Sequence, residues 1–380
     1  MIYLDNITTT RTDPRVLEAM LPYFTEFYAS AGSTHFAGSK AKTAVEDARG
    51  TIASLIGAAH PREIVFTSGA TEADNLAVKG VAEACAEIGD HVVTLVTEHP
   101  AVLEPCRRLE REGFRVTYLG VDWHGLASVE DLENALTPDT ILVSVMSANH
   151  EIGVLQDVAS LAAVCRERGI VFHTDAAQAV GKIPFNVRTL GVDLASLTSH
   201  KIYGPKGIGA LYVREGLAPH RIRPQLDGVG EEQGLRAGTL NVPAIVGFAK
   251  ALQLCAEEMA EAGERLTALR ERFLCILRQQ VDGVQVNGHP TRRLPGDLSI
   301  SIEGVRARTL LEALPDIALS AGSAWQEDTM EPSPVLLALG IPPERALSTI
   351  HISIGRFNTA AEVDRAAQRI VGEVRRMRSR

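Results

Sequence analysis

No C-x-x-C pair occurs in the chain. Its five cysteines (Cys85, Cys106, Cys165, Cys255 and Cys275) are odd in number and widely spaced. That pattern excludes a zinc knuckle and a disulfide framework, and a reducing cytoplasm is the expected setting. No apolar run reaches transmembrane length, and Met1-Ile2-Tyr3-Leu4-Asp5 has neither the basic nor the apolar region of a signal peptide. Positive charge is not in surplus. The net charge of -9 gives no electrostatic help toward nucleic acid or an anionic membrane, so neither is an expected partner. Arg375, Arg376, Arg378 and Arg380 are the local exception and read as a solvated helix C-terminus, where cations are favoured. Repeats and low-complexity linkers are absent. What remains is ordinary globular usage, 45% apolar and 22% charged, over 380 residues, a length that favours two domains.

From about residue 60 to 215, β-rich runs alternate with helical patterns. Strands are predicted at 64–67, 91–97, 116–119, 141–146, 170–173, 194–198 and 208–213. Helices are predicted at 71–85 and 102–112, with a further helix face marked by Val158, Leu161, Ala162 and Cys165. Such alternation argues for an α/β domain with a mainly parallel sheet covered by helices on both faces. A long amphipathic helix is predicted from Leu254 to about Arg278. Short strands at 284–286, 298–302 and 350–353 follow, with helices from Arg306 to Leu314 and from about Thr359. This second region is smaller and α+β, and the first dozen residues are expected to pack with it. The domains are therefore placed at 13–255 and at 1–12 with 256–380.

Two glycine-rich stretches resemble nucleotide motifs and fail on context. Residues 32–40 have the wrong P-loop spacing and no strand leading in. Gly228-Val229-Gly230 does not open a strand-to-helix turn with dinucleotide spacing. Polar residues gather instead at strand ends, where open α/β sheets bind ligands. Ser68-Gly69-Ala70-Thr71-Glu72 enters a helix and can cradle a phosphate; an ordinary capped helix is the alternative. His99 can stack on a planar cofactor or move protons, or be a satisfied structural histidine. Asn149 can donate to a phenolic oxygen or a carboxylate, or shape a turn. Asp175 ends an apolar strand and needs a cationic partner, for which a protonated pyridine nitrogen serves; a helix cap is the competing reading. Lys201 follows a strand and can form an imine if desolvated; most loop lysines are merely solvated. A lysine imine, a pyridinium partner and a phosphate clamp are together the requirements of pyridoxal 5'-phosphate (PLP).

At these positions, and at Tyr3-Leu4-Asp5-Asn6, Thr8-Thr9-Thr10, Glu151-Ile152-Gly153, Ser199-His200-Lys201, Arg236-Ala237-Gly238-Thr239 and Ser353-Ile354-Gly355-Arg356-Phe357, the chain resembles the cysteine desulfurases. These belong to the class V, fold-type I PLP enzymes. The resemblance implies a large domain with a mainly parallel seven-stranded sheet plus a smaller α+β domain, and a homodimer. It implies that Lys201 holds the cofactor as a Schiff base, Asp175 pairs with the pyridine nitrogen and Gln178 bonds the phenolic oxygen. His99 would stack on the ring and shuttle protons. Ala70, Thr71, Thr198 and His200 would hold the phosphate, and Thr239 would complete the neighbouring subunit's phosphate site. Arg356 would grip the substrate carboxylate, with Asn149 beside the cofactor and substrate.

One departure matters. The family's loop reads like Ser-Gly-Ser-Ala-Cys, and its cysteine attacks the substrate sulfur. Here the stretch is Ala321-Gly322-Ser323-Ala324-Trp325, and Glu331-Pro332-Ser333 resumes the pattern without a gap. An indole cannot carry sulfur as a thiolate does. Trp325 can stiffen the loop, shape the substrate pocket or block it. Cys106, seven residues after His99 and in a helix, is the nearest substitute in sequence. The segment Asp227-Gly228-Val229-Gly230-Glu231-Glu232 only partly follows the family's glycine-rich version. The short stretch after the final helix weakens the expectation of an iron–sulfur scaffold partner. The leading expectation is a PLP lyase that eliminates sulfur from L-cysteine or a related sulfur amino acid, with Lys201 removing the Cα proton. The alternatives are a desulfurase with an external thiol or a sulfur acceptor protein, an aminotransferase or epimerase on another amino acid, and a non-catalytic partner subunit.

Overall fold

The computed structural model describes residues 1–217, 220–321 and 331–379. Seven strands form one sheet: β1 (Ile64–Thr67), β2 (His91–Leu95), β3 (Arg115–Leu119), β4 (Thr140–Ser144), β5 (Val171–Asp175), β6 (Leu194–Thr198) and β7 (Gly209–Val213). Their spatial order is β1-β7-β6-β5-β4-β2-β3. Every pairing is parallel except those of β7, which runs antiparallel to both neighbours. The mainly parallel sheet predicted from the alternating pattern is therefore observed. Five central strands are buried along their whole length, as expected when helices cover both faces.

Alternate strand residues feed two cores. Val65, Val92, Leu142, Val171 and Leu211 pack with α2 (Ala70–Cys85) and α3 (Pro100–Arg111). Phe66, Val93, Val143, Phe172 and Tyr212 pack on the other side with α1 (Phe36–Leu55) and α4 (Val158–Glu167). The segment at 32–40 is the lead-in to α1: His35 Nδ1 accepts from Gly38 N at 3.2 Å and caps the helix.

The long helix is α5 (Val242–Gln280), and it starts 12 residues before the predicted Leu254. Asn241 caps it and Pro243 sits in its first turn. Its first part is apolar on several sides and lies in the large-sheet core through Cys255; from Leu269 it enters a second core. That second core packs the antiparallel sheet of β8 (Val284–Val286), β9 (Asp297–Ile302), β10 (Ser320–Ala321) and β11 (Thr349–Ser353) against α5 and α6 (Ala360–Arg378). Ile2 and Leu4 join it from the other end of the chain. Among the described residues no helix is long and apolar enough to cross a membrane.

Candidate active site

A cavity of about 450 Å³ opens at the carboxyl ends of β1, β5 and β6. At one end α2 begins directly after β1. Its cap, Gly69, supplies no side-chain oxygen, so the first N–H groups of a 16-residue helix stay available to an anion. Ala70, Thr71, Thr198 and His200 line this end, as does Lys206. A Cβ on Gly209 of β7 would lie 2.7 Å from Gly69 Cα, so only glycine lets the strand pass this cradle. His200 Nδ1 lies 3.0 Å from Thr9 Oγ1, and burial pushes its pKa down to about 4.

At the other end stand two buried carboxylates. Asp175 closes β5; its Oδ1 accepts from Ala177 N at 2.9 Å, and burial pushes its pKa up to about 6. Asp74, on α2, is 0% exposed, and neither of its oxygens makes a hydrogen bond. Burial, with Asp175 and Glu98 nearby, drives its pKa far up. His173 Nε2 lies 3.6 Å from Asp74 Oδ1. Such an arrangement calls for a cation.

Lys201 sits between the two ends. Its Nζ donates to Ile7 O at 2.6 Å and Thr8 O at 2.5 Å. Burial and the charge of Lys182 push its pKa down to about 7. The first ten residues hold this loop: Thr10 N donates to His200 O, Gln178 Nε2 to Ile7 O, and Ile7 N to Ser353 Oγ of β11. His99 lines the cavity and caps α3 through Nδ1, which accepts from Ala101 N at 3.1 Å. Its pKa is pushed down to about 4 by burial and by Lys201, so its neutral ring carries the proton on Nε2.

Residues 2–366 match the aminotransferase class-V family model. Cysteine desulfurase IscS of Anaeromyxobacter dehalogenans is 50% identical over 379 residues, covering 99% of this chain and 93% of that protein. A solved NifS-like protein superimposes with a TM-score of 0.92 at 38% identity, covering 98% of this chain and 99% of that one. A structure described as SspA in complex with cysteine has a TM-score of 0.84 at 35% identity, covering 94% and 100%. This chain belongs to the cysteine desulfurase family of class-V aminotransferases. It is a PLP-dependent enzyme with the fold-type I architecture of that family.

The cavity fits this family's cofactor. Asp74 is buried without a hydrogen-bond partner, Asp175 is buried beside it, the α2 N-terminus opens on the cavity with no side-chain cap, and a lysine of low pKa stands between them. Thr71, Thr198, His200 and the α2 N–H groups would hold the phosphate, Asp175 the pyridine nitrogen, and Lys201 the aldehyde carbon. Because Lys201 loses its proton near pH 7, capture of PLP by the cofactor-free protein is expected to speed up between about pH 6 and 8 and then level off. Absorbance-monitored rebinding checks this; a rate still climbing tenfold per pH unit above pH 8 would contradict it.

Two desulfurase-type assignments do not fit the geometry. Arg356 lies outside the cofactor cavity and lines a second, smaller one of about 60 Å³ that Lys201 also borders. Its Nη1 is 2.8 Å from Asp13 Oδ2, its Nε 3.2 Å from Glu258 Oε2, and its guanidinium packs 4.4 Å from the Tyr203 ring centroid. Two carboxylates engage its guanidinium in this structure. Asn149 does not line the cavity and is 1% exposed. Its Oδ1 accepts from Glu151 N and Ile152 N, and its Nδ2 donates to Thr97 O. The turn reading describes it.

Gln178 lines the cavity but spends Nε2 on Ile7 O and Oε1 on Lys182 Nζ. Thr239 is exposed and outside the cavity of its own chain. Trp325 lies outside the described residues. Cys106 is buried in α3, with its thiol pushed up to about 12 by burial. Cys255 borders the second cavity, and burial lifts its thiol to about 11. Neither is a ready thiolate. Sequence reasoning missed Asp74, His150 and His351. Asp74 interrupts the apolar run Ala73-Leu76-Ala77 of α2, which was the available signal.

Proposed function

We propose that the protein cleaves the C–S bond of L-cysteine or a related sulfur amino acid as a lyase, giving pyruvate, ammonia and the sulfur leaving group (sulfide from cysteine). The supporting observation is the lack of a thiol acceptor. Among the described residues no cysteine lines the cofactor cavity, the thiols of Cys106 and Cys255 are held protonated by burial, and Trp325 occupies the nucleophile's place in the sequence.

When bound, the cofactor delocalises negative charge developing at the substrate Cα. The chain's own groups do the rest. Lys201 Nζ, neutral near pH 7, takes the Cα proton, and Ile7 O and Thr8 O hold it in position. Asp175 would hold the positive charge of the ring nitrogen. His99, neutral and lining the cavity, would supply the proton to the leaving sulfur. Water then completes hydrolysis of the eliminated product.

Product analysis after incubation with L-cysteine and L-cystine tests the reading. Pyruvate is expected in excess over alanine by at least about tenfold; alanine with enzyme-bound sulfur would overturn it. The second reading is desulfuration with an external thiol or acceptor protein, favoured by the 50% identity to a cysteine desulfurase. It predicts alanine that rises with added thiol. We also propose a homodimer in which Thr239, exposed and unused by its own cavity, reaches the partner's phosphate end. A cytoplasmic setting suits five unpaired cysteines.

A further inference from the structure

A small chamber of about 30 Å³ opens off the cofactor cavity beside Lys201. His99, His150 and Gln178 border both spaces. The chamber adds Glu151, Ser320 and His351. His351 comes from the centre of β11, where residues alternate. Ile350 and Ile352 enter the small-domain core, while Thr349, His351 and Ser353 face the other way. Register fixes His351 between Ser299 of β9 and Ser320 of β10. It is 4% exposed, and its Nε2 is buried without any hydrogen-bond partner. An orphaned imidazole nitrogen in a polar chamber beside the reactive lysine is costly unless something arrives to meet it.

An amino acid reacting at Lys201 must place its α-carboxylate close by. Lys201 is the only lysine or arginine bordering the chamber among the described residues, and it is committed to the amino-group chemistry. Arg356 is neutralised elsewhere by Asp13 and Glu258. Arg293, the guanidinium whose charge acts on His351, donates to Ile152 O and Asn287 O and does not border the chamber. Glu151 does not repel an incoming carboxylate at neutral pH. Burial lifts its pKa to about 8, and the Ser333 hydroxyl donates to it.

We infer that His351 receives the substrate's α-carboxylate, so that this enzyme selects amino acids over plain amines through an imidazole N–H and not through a guanidinium. His150, edge-on to His99 at 4.9 Å, and Ser320 flank the same position. In the free enzyme His351 is neutral, held down to about 3 by burial and by the charges of Arg293, Lys182 and Lys201. It therefore offers one hydrogen bond where a guanidinium offers a fork, and the grip on the carboxylate is single-pointed.

The inference rests on the reading of the protein as an enzyme that processes amino acids. The test is equilibrium titration of the PLP-loaded protein with L-alanine, which has no β leaving group, and with ethylamine, its counterpart without the carboxylate. The change in cofactor absorbance reports binding without turnover. His351→Leu, which fills the space without a donor, is expected to weaken L-alanine about 10- to 100-fold and to leave ethylamine within about twofold. His351→Gln keeps an N–H donor and should retain more of the selectivity, while His351→Arg should restore it. Unchanged L-alanine affinity in His351→Leu, or selective loss in Arg356→Gln instead, overturns the inference and leaves the enzyme reading standing. A wild-type protein that responds to neither compound overturns both.

Discussion

Replacing Lys201 by alanine is expected to cut turnover of any amino-acid substrate by at least about a thousandfold and to abolish the borohydride-reducible bond between chain and cofactor. The expectation rests on position and on protonation together. Lys201 is the lysine held between the phosphate cradle and the two carboxylates, and burial brings its amine to a pKa of about 7. Lys206 also borders the cavity, but it is exposed. Lys201→Arg should be as inactive as the alanine variant. It keeps a cation within reach of the Ile7 and Thr8 carbonyls but cannot give up its proton. Cofactor should remain associated with both variants through the α2 N-terminus and Thr71. Mass spectrometry after reduction, with turnover on L-cysteine, checks this; retention of more than about a tenth of wild-type turnover would move the role to another amine.

Asp175→Asn should act in opposite directions on activity and on stability. Turnover is expected to fall about 10²- to 10⁴-fold, because a neutral amide no longer holds the ring nitrogen protonated. The cofactor-free protein should instead become more stable above pH 6. Asp175 has a folded pKa of about 6 against an ordinary 3.8, so the folded free protein binds this proton more tightly than the unfolded chain. Stability is therefore lost as pH rises from about 4 to 6, and the penalty is complete above that. It is on the order of 3 kcal/mol at most and is shared with Asp74. Asparagine removes the charge while its side-chain oxygen still accepts from Ala177 N. Thermal melts of free and PLP-loaded protein at pH 5 and pH 8 separate the terms. A free variant that melts lower than wild type at pH 8 would contradict the account. The same buried carboxylate thus burdens the empty fold and serves the loaded one.

Much of this site was legible because ligand-binding residues of a parallel sheet must sit at strand ends, and strand ends are visible as apolar runs that stop. Ser68, Asp175 and Lys201 each follow or close such a run, and all three border one cavity. Histidines and asparagines were harder to read. Asn149 and Arg356 sit in motifs shared with a family, yet a motif does not state which neighbours a side chain has already engaged. Asn149 is consumed by its own turn, and Arg356 by Asp13 and Glu258, which lie 343 and 98 residues away in the chain. His351 was passed over because a lone histidine on a short strand carries no local signal; its orphaned Nε2 is a property of packing.

The sequence by itself determined the sheet-forming runs, the pairing of a lysine with an aspartate and a helix-borne phosphate cradle, and the tryptophan in the nucleophile's place. These follow from local periodicity and from residue chemistry, which need no partners to be read. Tertiary structure alone decided the charge state of Lys201, through burial and the charge of Lys182, and its position, through the carbonyls of Ile7 and Thr8 from the opposite end of the chain. It also decided that Asp74 stands behind Asp175, that Arg356 is spent elsewhere, and that His351 faces the chamber. Desolvation and long-range contact set these properties, and neither is encoded in any single stretch of residues.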